Sequence, residues 1–302
     1  MRHIGLKIRM AIVGAILFAF YSVAVAAAWF FFGQSQSVLA LAIVGSVLLV
    51  GVQYKVGKWA ALRSVGAEEM DEQQYPQIHQ FVEKVCREKD LKKPNLKIAN
   101  MGVPNAFAVG RRGNGTVVVS RELIQLLDRD ELEGVLAHEL AHIDNRDVIT
   151  MQLGQGIASI VGIVAQYIVL FTGDNDFTDF FLGIVVGNLV QFFVMLFVLA
   201  ISRYREYVAD ADARRAIGSG DPLARALEKI HKGNQAASQS ANQRTREPVN
   251  QRSGGRRNQR RRDQGANQQV SALCISTPDR SFMQQVISTH PPMEKRIQRL
   301  RS

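Results

Sequence analysis

Two cysteines in 302 residues, Cys86 and Cys274, are too few for a disulfide framework and suit a reducing compartment. They also exclude a CxxC zinc ribbon or redox motif. Charge is missing in places rather than overall. Residues 10–32, 38–56, 151–172 and 180–201 contain no Asp, Glu or Arg, and Lys55 is their only Lys. A wholly soluble protein does not leave four such stretches. The net charge of +10 is uneven too: residues 234–269 hold eight Arg against two acids and supply +6 of it. The basic balance thus belongs to one segment.

Each apolar stretch matches the roughly 20 residues a helix needs to cross a hydrocarbon core, and an open sheet cannot satisfy its backbone there. The first ends in Trp29-Phe30-Phe31-Phe32, an interfacial belt. Its rival reading is a signal peptide, with Arg2, Lys7 and Arg9 ahead of the apolar run and Ala24-Val25-Ala26 as a cleavage site. The run continues past that site, which favours a span. Gln152, Gln155, Gln166, Asn188 and Gln191 are uncharged amides that hydrogen-bond a neighbouring helix more readily than they line a transport path. No ionisable residue sits mid-span, against a pump. The short loops 34–37 and 173–179 carry no Lys or Arg, so the positive-inside rule puts both termini and the middle region in the cytoplasm. The expected fold is a mainly α membrane protein, with four transmembrane helices in two hairpins and a cytoplasmic α+β domain. Its expected divisions are a first hairpin at 1–58, a cytoplasmic part at 59–148, a second hairpin at 149–201 and a second cytoplasmic part at 202–302.

In the soluble parts, Asp71–Lys89 reads as an amphipathic helix and Asn95–Ala99 and Thr116–Val119 as strands, with Asn114-Gly115 as a hairpin turn. Ser120 is placed to cap a helix over Arg121–Leu127. Asp130, with Glu133, is placed to cap the next, which runs to about Asn145 and straight into the third span. Short helices follow at 202–217, 222–232 and 292–300. Segment 234–269, rich in Asn, Gln, Gly and Arg, reads as disordered. It is a solvated tether or a patch for anionic lipid. It is not a nucleic-acid module, since no aromatics interleave with Arg256, Arg257 and Arg260–Arg262.

Chemistry concentrates in His138-Glu139-Leu140-Ala141-His142. On a helix, His138 and His142 share one face at a separation that one Zn²⁺ can bridge. Glu139 sits about 100° round, where it can take a proton from water. A catalytic zinc needs a third protein ligand. His142 precedes the third span and Glu206 follows the fourth, which puts them roughly 10 and 8 Å above the same membrane face. Glu206 is therefore the expected oxygen ligand. Asp210, one turn on, is placed to orient a ligand histidine; Asp212 reads as solvated. His3, His79 and His231 carry no functional signal. His290, ahead of Pro291-Pro292, is either a structural histidine or an oxyanion contact.

The chain resembles the HtpX-type membrane zinc endopeptidases, relatives of the CAAX prenyl protease. The resemblance rests on Pro104-Asn105-Ala106-Phe107-Ala108, His138–His142, Arg205–Asp210 and Ser288–Ile297, in family order. It implies that the cytoplasmic parts 59–148 and 202–302 form a zincin-like metalloprotease domain with one Zn²⁺ per chain, and cleavage of misfolded or damaged membrane proteins and unfolded proteins in an inner membrane under stress, alongside an ATP-dependent membrane protease. It also implies a transition-state role for His290 and an edge strand at Asn105 and Ala106 that holds substrate extended. Rival readings are a CAAX-type processing protease and a catalytically silent, zinc-stabilised scaffold. Glu139 argues against the scaffold, because a structural zinc needs no base.

Overall fold

The computed structural model describes residues 36–172, 177–246 and 291–302, with Ile16 and Ala19 as isolated positions before them. The elements in order are α1 (Gln36–Ser64), β1 (Glu68–Glu69), α2 (Pro76–Glu88), β2 (Asn95–Ala99), β3 (Ala106–Arg111), β4 (Asn114–Ser120), α3 (Arg121–Leu126), α4 (Arg129–Asp144), α5 (Asp147–Thr172), α6 (Phe177–Ile217), α7 (Asp221–Arg246) and α8 (Met293–Arg301). They fall into two compact units. One takes the described residues up to Val56 with Ile149–Val208, the other Gly57–Val148 with Ala209–Ser302.

The first unit is helical. Thr150–Leu170 in α5 and Thr178–Ile217 in α6 are long and apolar enough to cross a membrane. Val161, Val194, Val198 and Ile201 pack between them, whereas Ile163, Phe180, Phe181, Leu189 and Phe193 face outward. Apolar side chains on the outer face are what lipid as the solvent requires. Small residues let the helices approach: a Cβ on Gly187 would lie 2.7 Å from the Gly162 carbonyl oxygen. Asn188 Nδ2 donates to the Ile184 carbonyl of its own helix at 2.7 Å.

These two helices correct the expected four spans in two hairpins: among the described residues, two qualify. The predicted span at 10–32 lies outside the described residues. The one at 38–56 falls within α1, a 29-residue helix from Gln36 to Ser64, several of whose side chains lie outside those described.

The second unit is α+β. Its mixed sheet has the order β1-β2-β4-β3, with β2 parallel to β4 and the other pairs antiparallel. Strand β3, expected at Asn105 and Ala106 from the resemblance alone because Ala106–Gly110 shows no alternation of polarity, occupies the end of that order. The hairpin turn is Arg112-Gly113, with Gly113 at φ 87°, while Asn114 and Gly115 lie within β4 opposite Arg111 and Gly110. The main core joins α2, α4, α7 and α8 to one face of the sheet through Val82, Val85, Val117, Leu136, Leu140 and Leu227.

Three boundaries move. Ser120 caps α3, its Oγ accepting from Leu123 N–H at 3.1 Å, but α4 is capped by Asp128 with Glu131, two residues ahead of the expected pair. Both frames of Asp-Arg-Asp-Glu-Leu-Glu satisfy the pattern, and the earlier one adds Lys229 to the cap. Helix α4 does not run into α5, because Arg146 adopts φ 57° between them. Helix α7 continues past residue 232 to Arg246, so the predicted disordered segment begins inside a helix. Residues 247–269 lie outside the described residues.

Candidate metal centre

Helix α4 carries the centre. Its apolar residues Val135, Leu136, Ala137, Leu140 and Ile143 are all buried. Gly134 lets it approach α7, where a Cβ would meet the Leu223 backbone nitrogen at 3.0 Å. His138 and Glu139 are buried on the same helix at 2% and 3% exposure.

The two imidazoles meet edge to face, with centroids 4.6 Å apart and Nε2 atoms 3.1 Å apart. Their other nitrogens face carboxylates. His138 Nδ1 lies 3.0 Å from Asp210 Oδ1 and His142 Nδ1 lies 2.6 Å from Asp147 Oδ2. A carboxylate accepts and does not donate, so the bond to Asp147 assigns the His142 ring proton to Nδ1 and its lone pair to Nε2, and the Asp210 carboxylate beside His138 Nδ1 favours the same tautomer there. Arg296 Nη2, 3.4 Å from His138 Nε2, agrees with this, since a guanidinium can only donate. Two lone pairs at 3.1 Å cannot hydrogen-bond each other. They converge on a position that a cation satisfies.

Glu206 precedes Asp210 by one turn on the unbroken α6. One ligand atom from each of His138, His142 and Glu206 lies within 4.8 Å of the others. Two neutral imidazoles and one carboxylate are a donor set zinc accepts, and the residues present fit that ion. Among the described residues this is the one group of three or more His, Cys, Asp and Glu able to hold a metal.

Elsewhere, Asn105 is buried, its N–H donating to Ser120 Oγ at 2.9 Å and its carbonyl accepting from Ser120 N–H at 2.9 Å. Ala106 opens β3 opposite Val119. Asp212 is tied to Asn145 Nδ2 at 3.2 Å and Arg215 Nη1 at 3.0 Å. His79 is buried, with Nε2 3.1 Å from the Met70 carbonyl oxygen. His290 lies outside the described residues. Sequence reasoning misses Asp147 and Arg296. Asp147 is five residues past His142, and only the left-handed Arg146 turns it back. Arg296 hides among Lys295, Arg299 and Arg301, and nothing in that run marks it as buried.

The model of peptidase family M48 matches residues 72–302. A protease HtpX homolog of Halobacterium salinarum is 75% identical over 97% of this chain and 100% of its own length. One from Salinibacter ruber is 34% identical over 86% of each, and one from Pyrococcus abyssi is 34% identical over 99% of this chain and 96% of its own. The crystal structure of S. mikatae Ste24p shares the fold, with a TM-score of 0.55 and 15% identity, over 98% of this chain and 64% of that one. With the two spanning-length helices, these likenesses support a membrane location with more than one span. Family and metal-binding cluster together make the protein a zinc metalloendopeptidase, and the chain belongs to peptidase family M48 beside the HtpX proteases.

Proposed function

We propose that His138, His142 and Glu206 hold one zinc per chain and that Glu139 is the general base of peptide hydrolysis without a covalent intermediate. The observation that carries this reading is the pair of Nε2 atoms 3.1 Å apart, each on a ring whose Nδ1 faces a buried carboxylate. Zinc, when bound, supplies a Lewis acid that polarises the scissile carbonyl and acidifies water. Glu139, buried beside His138, takes the proton of the attacking water and returns it to the leaving amine. Asp210 and Asp147 hold the two rings in the tautomer that leaves Nε2 unprotonated. His290 stabilises the oxyanion, and the β3 end at Asn105 and Ala106 holds the substrate extended. The substrates are membrane proteins or unfolded proteins, with the active site and both termini in the cytoplasm. Contact with membrane lipids and cooperation with an ATP-dependent membrane protease follow from the same reading.

Glu139→Gln tests the assignment, because the amide cannot accept the proton yet leaves the ligands alone. The variant, purified in detergent with a chelator and then reloaded, is expected to hold one zinc per chain and to lose casein cleavage. Near-normal cleavage removes Glu139 as the base, and loss of zinc makes it part of the metal site instead.

A further inference from the structure

Arg296, on the short and strongly basic α8, is 0% exposed. A guanidinium keeps its charge at any pH the protein meets, and desolvating it costs several kcal/mol unless it is fully paired. The pairing is bidentate. Nε donates to Asp210 Oδ2 at 2.9 Å and Nη2 to Asp210 Oδ1 at 2.6 Å. That Oδ1 is the same atom that faces His138 Nδ1 at 3.0 Å. A carboxylate held at one oxygen can swing about its terminal torsion, and one held at both cannot. The angle at which Asp210 meets the imidazole is therefore set by Arg296.

Arg296 is in turn set by the docking of α8. Met293 and Leu300 are buried in the main core. Arg301 Nη1 reaches Glu228 Oε1 at 2.9 Å on α7. Gly220, just ahead of α7, leaves room for the Leu300 backbone, and a Cβ there would collide with the Leu300 carbonyl. The docking that buries Met293 and Leu300 also delivers the guanidinium to Asp210.

We infer that Arg296 is a positioning residue: through Asp210 it fixes the His138 imidazole as a ready ligand, so that metal affinity depends on the docking of the C-terminal helix. The inference rests on the metal-centre reading above. Its sign separates it from simple electrostatics. Arg296 Nη2 stands 3.4 Å from His138 Nε2, so removing its positive charge would, by Coulomb attraction alone, tighten the binding of a cation. Loss of positioning loosens it.

The experiment is Zn²⁺ and Co²⁺ titration of the full chain in detergent, with Glu139→Gln present throughout to prevent self-cleavage. R296M and R296K are both expected to weaken binding by about 10–100-fold, the range typical for loss of a group that orients a ligand. The Co²⁺ absorption bands should shift as His138 reorients, which a role in stability alone would not produce. G220A, which leaves Arg296 and Asp210 intact, is expected to weaken the metal in the same direction by displacing α8. It keeps the test decisive should R296M fail to fold. Combining D210N with R296M should weaken binding no further than D210N alone, because the arginine acts through the aspartate. Unchanged or tighter binding by R296M or R296K with unshifted bands overturns the inference. A parent that takes up no metal overturns the metal-centre reading and the inference with it.

Discussion

Asp147 is the residue on which the orientation of His142 turns, and replacing it gives a magnitude that follows from the geometry. Its Oδ2 lies 2.6 Å from His142 Nδ1, and the Asp147 side chain is 2% exposed. If α4 continued unbroken, residue 147 would stand about 140° round the helix from His142 and could not reach it. The C-cap Asn145, whose N–H donates to the Ala141 carbonyl, and the left-handed Arg146 break the helix and bring Asp147 back. A contact at that distance between an imidazole N–H and a carboxylate is charge-assisted. Removing such a group costs about 10–100-fold in metal affinity, or about 1.4–2.7 kcal/mol. Asp147→Asn keeps an oxygen acceptor without the charge and should fall near the lower end. Asp147→Ala keeps neither and should fall near the upper. Asp147 is also the first residue of α5, where a negative charge favours a helix N-terminus by about 0.3–1 kcal/mol. That share is read separately as a melting shift in chelator. The assay is competition for Zn²⁺ against a chromophoric chelator, with Glu139→Gln in every variant. If Asp147→Ala binds zinc within about twofold of the parent, the carboxylate does not orient the ring and the reasoning is refuted.

Two further expectations concern the supports of the two units. Lys229 Nζ donates to Asp128 Oδ2 at 2.8 Å and to Glu131 Oε2 at 2.7 Å, clamping the start of α4 to α7. The hydrogen bond and charge of Lys229 hold the Asp128 carboxyl below its ordinary range, and Asp128 with Glu131 holds Lys229 above its own. The Asp128 share of stability is therefore full above about pH 4 and lost as pH falls through its lowered pKa; the Lys229 share is full below about pH 10 and lost above. Urea midpoints should show wild type above Lys229→Met at neutral pH, with the gap closing towards pH 2.5; a gap that stays constant sinks the clamp. In the membrane unit, Gly187→Ala would press a Cβ to 2.7 Å from the Gly162 carbonyl oxygen and 2.9 Å from Gln166 Cβ, whereas at Gly45 a Cβ meets nothing within 4 Å. The first should lose about 1–3 kcal/mol in detergent melts and the second far less; equal losses would show that α5 and α6 are not closely packed there.

What the sequence shows of this site depends on how local each signal is. His138 and His142 are legible because both ligands sit on one helix at a spacing that needs no other information. Glu206 is legible only in part: it follows one apolar helix closely as His142 precedes another, but the break at Arg146 means that helical rise alone does not set the height of His142. Asp147 is not, because a left-handed Arg has no sequence signal of the kind a Gly or Asn would give. Arg296 is not, because burial of one arginine among four basic residues is decided by α7 and by Asp210, which lies far away in the chain. The soluble α+β part is legible from β2, β4 and their flanking helices. Strand β3 is expected only from the resemblance and not from its pattern, because both of its faces are largely buried, which erases the period of two. The spans in α5 and α6 are legible because an uncharged apolar run of membrane-crossing length is itself the signal.

The burial of α4 turns its polar residues into the most informative ones. Leu132, Val135, Leu136, Ala137, Leu140, Ala141 and Ile143 point to several sides of the helix and all are buried. A helix enclosed in this way gains nothing from charge, and each polar group in it carries a desolvation cost of several kcal/mol unless it is answered by a partner. Glu131 is answered by Lys229 and the Asp128 backbone N–H. Asp210 answers one nitrogen of His138 and Asp147 one of His142. Beyond these partners, the two Nε2 atoms stand 3.1 Å apart, with Glu206 close enough to share one ion with them. The neighbouring Glu139 is buried at 3% exposure on the same stretch of helix. A core helix selected for stability alone would carry apolar residues at all these positions. The cost of placing two histidines and a glutamate there is the physical reason to read the arrangement as a site for chemistry rather than as packing.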